Sequence, residues 1–148
     1  MIHRLIYKST LVDSVDEQQL LDIVQLAALK NYENEVTGCL FVRDQSIIQY
    51  FEGCESKVET LWNAILSDKR HSIEVFRMMK KSEDRMFQSW SMGYLEESPF
   101  DRTVNQLFSM LEESFSPYFK DVDKLIDLRL KLAFDFLARR NLVTDFLS

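Results

Sequence analysis

Two stretches of this chain are apolar on both parities of a strand's alternation. Between Val36 and Arg43, Cys39 and Phe41 occupy one parity and Leu40 and Val42 the other. Between Ser46 and Glu52, Ile47 and Phe51 stand against Ile48 and Tyr50. A strand with one wet face alternates apolar and polar residues, so strands of this kind belong to a sheet covered on both faces. Asp44-Gln45 between them reads as a short hairpin connection.

The rest of the chain supplies the covers. His3 to Ser9 reads as a strand, with Leu5 and Tyr7 on one face and Ile6 on the other. Ser14-Val15-Asp16-Glu17 has the form of a capping box, in which hydroxyl and carboxylate each satisfy a free N–H at a helix start. It predicts a helix from about Asp16 to Lys30, whose stripe of Leu20, Ile23/Val24 and Ala27 arrives at Asn31. Ser56-Lys57-Val58-Glu59 repeats the pattern before a helix carrying Val58, Leu61, Trp62 and Ile65. Strands are expected around Ser72 to Met79 and around Phe87 to Leu95. The order is βαββαββ, an α+β sheet whose two helices cover one face. After a break at Pro99, Thr103 to Phe115 and Lys120 to Asn141 read as amphipathic helices for the other face. Their apolar positions are Val104, Leu107, Phe108 and Leu111, then Val122, Leu125, Ile126, Leu130, Phe134 and Leu137.

The chain's 148 residues suit one domain with a sizeable core. A formal charge of −6 argues against a broad electrostatic grip on nucleic acid. The opening MIHRLIYKST lacks a secretory h-region, and no apolar run approaches the ~20 residues of a membrane helix. The two cysteines, Cys39 and Cys54, are too few for a disulfide framework, and with the two histidines they show no paired zinc spacing. A cytoplasmic, reduced, metal-free protein is the expectation.

Enzyme chemistry finds little support. Gly38, Gly53 and Gly93 lie far apart and form no phosphate-cradling loop. There is no G-x-S-x-G elbow, and the Cys and His residues show no triad spacing. A hydrolase of the acylphosphatase type would need an anion loop and a paired arginine that are missing. His71, beside Arg70, is the one plausible acid or base, and such a histidine is more often a surface or capping residue.

Three polar residues stand where apolar ones would be cheaper: Tyr7 beside Leu5, Gln49 between Ile47 and Phe51, and Asn31 at the end of its stripe. If buried, each needs a hydrogen-bond partner, because an unpaired buried amide or hydroxyl costs about 1–3 kcal/mol. They could satisfy one another or the backbone. Pattern alone does not identify a ligand.

Five blocks, however, occur in a familiar order: RLIYKS, Asn31 followed by VTG, IIQYFEG around Gln49, SDKRH at 67–71, and RMFQSWSMGY around Trp90. Over roughly residues 1–95 they resemble the BLUF (blue light using flavin) domain, whose ferredoxin-like fold agrees with the βαββαββ order. The resemblance implies that Tyr7 is the photoactive tyrosine and Gln49 the switching glutamine. It implies that Asn31 binds the polar edge of the flavin ring, that Ile23 and Ile65 flank the ring, and that His71 lies near it. Trp90 and Met92 would relay the switch. The implied cofactor is non-covalent FAD, with FMN as the alternative.

The chain departs from the family pattern at four places. Ile47 stands where an aromatic is usual, and Glu35 where glycine often precedes V/I-T-G. Lys30 stands where a second asparagine is common, and Ala64 where arginine can occur. No phosphate ligand is therefore assigned. Residues 1–97 would form the flavin-binding domain, and 98–148 a helical extension for output. Output through a downstream regulatory protein or a homo-oligomer follows, with neither membrane nor nucleic acid as partner. The competing reading is a cofactor-free interaction module on the same fold.

Overall fold

The structure, a computed structural model, describes residues 1–88, 92–96 and 102–140. Five strands and four helices follow one another as β1 (Ile2–Leu11), α1 (Glu17–Glu33), β2 (Thr37–Arg43), β3 (Ser46–Gly53), α2 (Glu55–Ser67), β4 (His71–Ser82), β5 (Gly93–Glu96), α3 (Arg102–Glu113) and α4 (Val122–Arg140). The sheet runs in the order β4-β1-β3-β2-β5. β1 pairs antiparallel with both β3 and β4, and β2 pairs antiparallel with β3 and parallel with β5. β1 and β2 therefore run the same way with β3 between them, as do β3 and β4 with β1 between them. Two interlocked split βαβ units result, a ferredoxin-like α+β fold.

The double parity of the strands is used as the sequence predicts. Leu5, Tyr7 and Phe51 pack with Val36, Val58 and Trp62 under α2, while Leu40, Val42 and Ile47 pack with Leu20, Val24 and Ala28 under α1. On the opposite face Ile6, Cys39, Phe41, Ile48 and Tyr50 meet Val104, Leu107, Phe108 and Leu111 of α3, together with Ile126, Leu130, Ala133 and Leu137 of α4. Polar ties fix the second cover. Arg43 bonds Ser109 and Glu112 of α3 and lies 4.3 Å from the Phe108 ring centroid. Arg4 reaches Asp127 of α4 at 2.5 Å, and Arg77 reaches Asp123 at 2.6 Å.

Three departures of element ends from expectation have a local physical cause. The first helix is capped by Asp16, which accepts from the Gln19 N–H, while the Gln19 side chain accepts from the Asp16 N–H; Ser14 is not the cap. Both tetrads satisfy the capping pattern, and the one nearer the apolar stripe is used. The second helix starts at Glu55 behind Cys54, whose side chain makes no capping hydrogen bond, so Ser56 lies inside the helix. Among the described residues the last strand is Gly93–Glu96, and Phe87 lies ahead of it as a core side chain outside any strand. Trp90, Pro99 and Asn141 lie outside the described residues.

Two backbone positions explain the E-V-T-G sequence after α1. Glu35 takes a left-handed φ of 55°, the conformation that favours glycine there. Gly38 is forced by contact: a Cβ at this position would lie 2.0 Å from the Tyr50 carbonyl oxygen.

Candidate functional site

Tyr7 and Gln49 are direct cross-strand partners in the β1–β3 ladder. Their side chains therefore emerge side by side on the face covered by α1 and α2. The Tyr7 hydroxyl donates to Gln49 Oε1 at 2.5 Å, and both residues are buried. With Oε1 engaged, the Gln49 NH₂ is the donor left for an occupant of the adjoining space. Burial, reinforced by the negative charge of Asp68, pushes the Tyr7 phenol well above its ordinary range. Three rings enclose it: Trp62 at 5.3 Å between centroids, His71 at 6.0 Å and Phe51 at 6.4 Å.

Above this pair lies a cavity of about 110 Å³ between α1 and α2. Its floor is Tyr7, Gln49, Leu40 and Ile47; α1 contributes Leu20, Ile23, Val24 and Ala27, and α2 contributes Leu61 and Ile65. Met92, just ahead of β5, is buried and also lines it. The polar rim is Asp68, Arg70 and His71. The walls are aliphatic and carry no charge, whereas amide, phenol, carboxylate, guanidinium and imidazole gather at the floor and one end. That distribution suits a flat conjugated ring with a polar edge.

His71 is held at both nitrogens. Nε2 lies 2.8 Å from the Ile65 carbonyl, which can only accept, so the proton sits on Nε2. Nδ1 faces Ser9 Oγ at 2.9 Å, and in the neutral ring it accepts from that hydroxyl. Arg70 grips Asp68 through its guanidinium at 2.5 Å and through its backbone N–H at 3.0 Å. The Arg70 hydrogen bonds hold the Asp68 carboxyl down at about 2, so it is an anion at neutral pH.

Of the residues singled out from sequence, Tyr7, Gln49, Ile23, Ile65, His71 and Met92 meet at this one cavity. Asn31 is buried on the sheet-facing stripe of α1, one turn past Ala27, and is not among the lining residues. Its carbonyl accepts from the Val36 N–H at 2.8 Å, tying the helix end to the start of β2. Trp90 lies outside the described residues. The Asp68–Arg70 clasp, Ser9 behind His71 and Trp62 against Tyr7 had no assigned role in the sequence reading. The D-x-R spacing was the available sign for the clasp, because residues two apart in a turn can close a local ion pair.

Comparison with known proteins places this geometry. Residues 2–93 match the model of the family described as "BLUF: Sensors of blue-light using FAD". The chain is 32% identical over 71 residues to the blue light- and temperature-regulated antirepressor BluF of Escherichia coli, covering 48% of this chain and 18% of that protein. It is 25% identical over 142 residues to the photoactivated adenylate cyclase subunit beta of Euglena longa, covering 93% of this chain and 16% of that protein. It thus spans less than a fifth of the length of these curated relatives. Among solved structures, BlsA in its photo-activated state superposes with a TM-score of 0.65 at 26% identity, covering 88% of this chain and 95% of that one. BlrP1 of Klebsiella pneumoniae, as a calcium and cyclic-diGMP complex, superposes with a TM-score of 0.63 at 27% identity, covering 95% and 35%. A match over most of the chain, carrying the buried tyrosine–glutamine pair on its cavity floor, makes this protein a member of the BLUF family of blue-light sensors.

Proposed function

We propose that this chain senses blue light through FAD bound non-covalently between α1 and α2, with Tyr7 and Gln49 as the photoactive pair. The observation that carries the reading is the buried Tyr7 hydroxyl hydrogen-bonded to Gln49 on the cavity floor. Ile23 and Ile65 would flank the ring from the two helices, Asn31 would serve its polar edge, and His71 would lie near it. Bound there, FAD would supply a blue-light chromophore able, when excited, to accept an electron. Tyr7 supplies that electron and releases its hydroxyl proton along the hydrogen bond to Gln49 Oε1. When electron and proton return, the Gln49 amide is left rotated or tautomerised, so the donor and acceptor it presents to the cavity have changed. No substrate is consumed, as befits a sensory module. FMN is the alternative cofactor.

The output is a biased conformational equilibrium, since rearranged hydrogen bonds supply only about a few kcal/mol. Met92 and Trp90 would pass it on from the sensor, residues 1–97, to the helical extension, 98–148. The named relatives include an antirepressor, which supports delivery to a separate regulatory protein or through a change in self-association. No described helix is long and apolar enough to cross a membrane; a cytoplasmic location is part of the proposal.

The purified protein is expected to be yellow, with a flavin band that moves to the red under blue light and recovers in darkness. Tyr7→Phe and Gln49→Leu should each keep the flavin and lose the shift. A colourless protein that takes up no added FAD would leave the cofactor-free interaction module as the better reading. An unaltered shift in either variant would remove the two residues from the mechanism.

A further inference from the structure

Glu52 is wholly buried on β3, three residues beyond Gln49 and on the opposite face of the sheet. A carboxylate in such a place is costly unless its oxygens are fully engaged. Here they are. The Tyr50 hydroxyl donates to Oε2 at 3.0 Å, the Met86 N–H to Oε1 and also to Oε2 at 3.0 Å, and the Phe87 N–H to Oε1 at 3.2 Å. Neighbouring Arg85 closes the same junction from the backbone side, donating to the carbonyls of Glu35 at 2.6 Å and Glu52 at 3.3 Å and to Thr37 Oγ1 at 3.0 Å.

This clamp seats Phe87, itself wholly buried, between two other rings. Its centroid lies 5.7 Å from Tyr50 and 5.8 Å from Phe134 of α4. Tyr50 is the immediate chain neighbour of Gln49 and points the other way. The segment 85–87 also leads toward Met92, which lines the cavity. A single carboxylate thus pins one backbone turn that touches both the switching strand and the middle of α4. An apolar side chain could have filled this volume, but it could not have held two consecutive N–H groups.

We propose that Glu52 is a positioning residue that couples the Tyr7–Gln49 switch to α4: its carboxylate holds Met86 and Phe87 so that Phe87 stays wedged between Tyr50 and Phe134, and a shift of β3 moves α4 through that wedge. The distance is short, about 10 Å of strand from Gln49 to Glu52. Close-packed rings transmit a displacement rather than absorb it. The proposal rests on the light-switch reading of the Tyr7–Gln49 pair.

The test is amide hydrogen exchange on the flavin-loaded full chain, in darkness and under blue light, for wild type, Glu52→Gln and Phe87→Leu. In the wild type, light should change exchange in the peptide spanning residues 122–137. Glu52→Gln should keep the full red shift, exchange the Met86 and Phe87 amides about ten- to a hundredfold faster in the dark, and lose the light-dependent change in α4. Phe87→Leu should keep those two amides protected and still lose the α4 response; it also decides the matter if Glu52→Gln does not fold. A purely structural role for Glu52 would raise dark exchange and leave the light-minus-dark difference intact, which overturns the proposal. So does a wild type that shifts to the red with no change in α4. A wild type with no red shift overturns the light-switch reading instead, and the coupling with it.

Discussion

The Tyr7–Gln49 hydrogen bond joins residues 42 positions apart, and its existence depends on strand register rather than on either residue alone. Ordered motif blocks marked both residues in the sequence. Their contact was not legible, because no local pattern says which residue of β3 faces which residue of β1. The same holds for the Trp62 ring against Tyr7, which requires α2 to cross the sheet at one particular place. The state of the phenol has a measurable consequence. Tyr7 and Tyr50 are both pushed up by burial first, then by a neighbouring carboxylate, Asp68 and Glu52 respectively. A tyrosine in the unfolded chain ionises near pH 10, whereas these stay protonated. A folded-state pKa above the unfolded value stabilises the fold below about pH 10, and the contribution is lost as pH rises further. The urea midpoint should therefore fall between pH 9 and 11 (roughly the range set by a free phenol) and fall less steeply in Tyr50→Phe. Equal slopes in the two proteins would contradict the burial argument. The light-induced shift, if Tyr7 carries it, should keep its amplitude up to about pH 10.

At the scale of elements, most helices and strands were legible and several of their ends were not. Two capping tetrads overlap before α1, Ser14 with Glu17 and Asp16 with Gln19, and sequence offers no means of choosing between them. Only packing of Leu20, Val24 and Ala28 on the sheet sets where the first turn begins. The choice can be read from stability. Asp16→Ala should lower it by about 1 kcal/mol, the usual worth of an N-cap, while Ser14→Ala should stay within about 0.5 kcal/mol of wild type. Equilibrium urea unfolding of both variants measures this directly, and a larger loss in the serine variant would contradict the assigned cap. The expected strand fails at its Phe87 end for a different reason. Phe87 carries strand-like residue chemistry, but its N–H goes to Glu52 rather than to a ladder. A side-chain carboxylate replaced the neighbouring strand as acceptor, which no periodicity can reveal.

For the whole molecule the decisive feature is that one sheet serves two cores. α3 and α4 do not append to a finished domain; they complete it by burying Ile6, Cys39, Phe41, Ile48 and Tyr50. Removing residues 98–148 should therefore uncover a broad apolar face, and the remaining fragment is expected to aggregate or self-associate on size exclusion. A well-behaved monomer of residues 1–97 would show that the cover is dispensable. This requirement was readable in the strands' double parity. The contacts that tie the cover to the rest of the molecule were not, since Arg4–Asp127 and Phe87–Phe134 bring together segments far apart in the chain.

That double parity has one further consequence. β3 can be read as two interleaved messages, with Ile47, Gln49 and Phe51 addressed to the face under α1 and α2 and Ile48, Tyr50 and Glu52 to the opposite face. A slip of one residue would exchange the addresses, giving the cavity a phenol and a carboxylate and stranding an amide against α4. The strand's alphabet thus carries its own error check: only one reading frame leaves every polar letter with a correspondent.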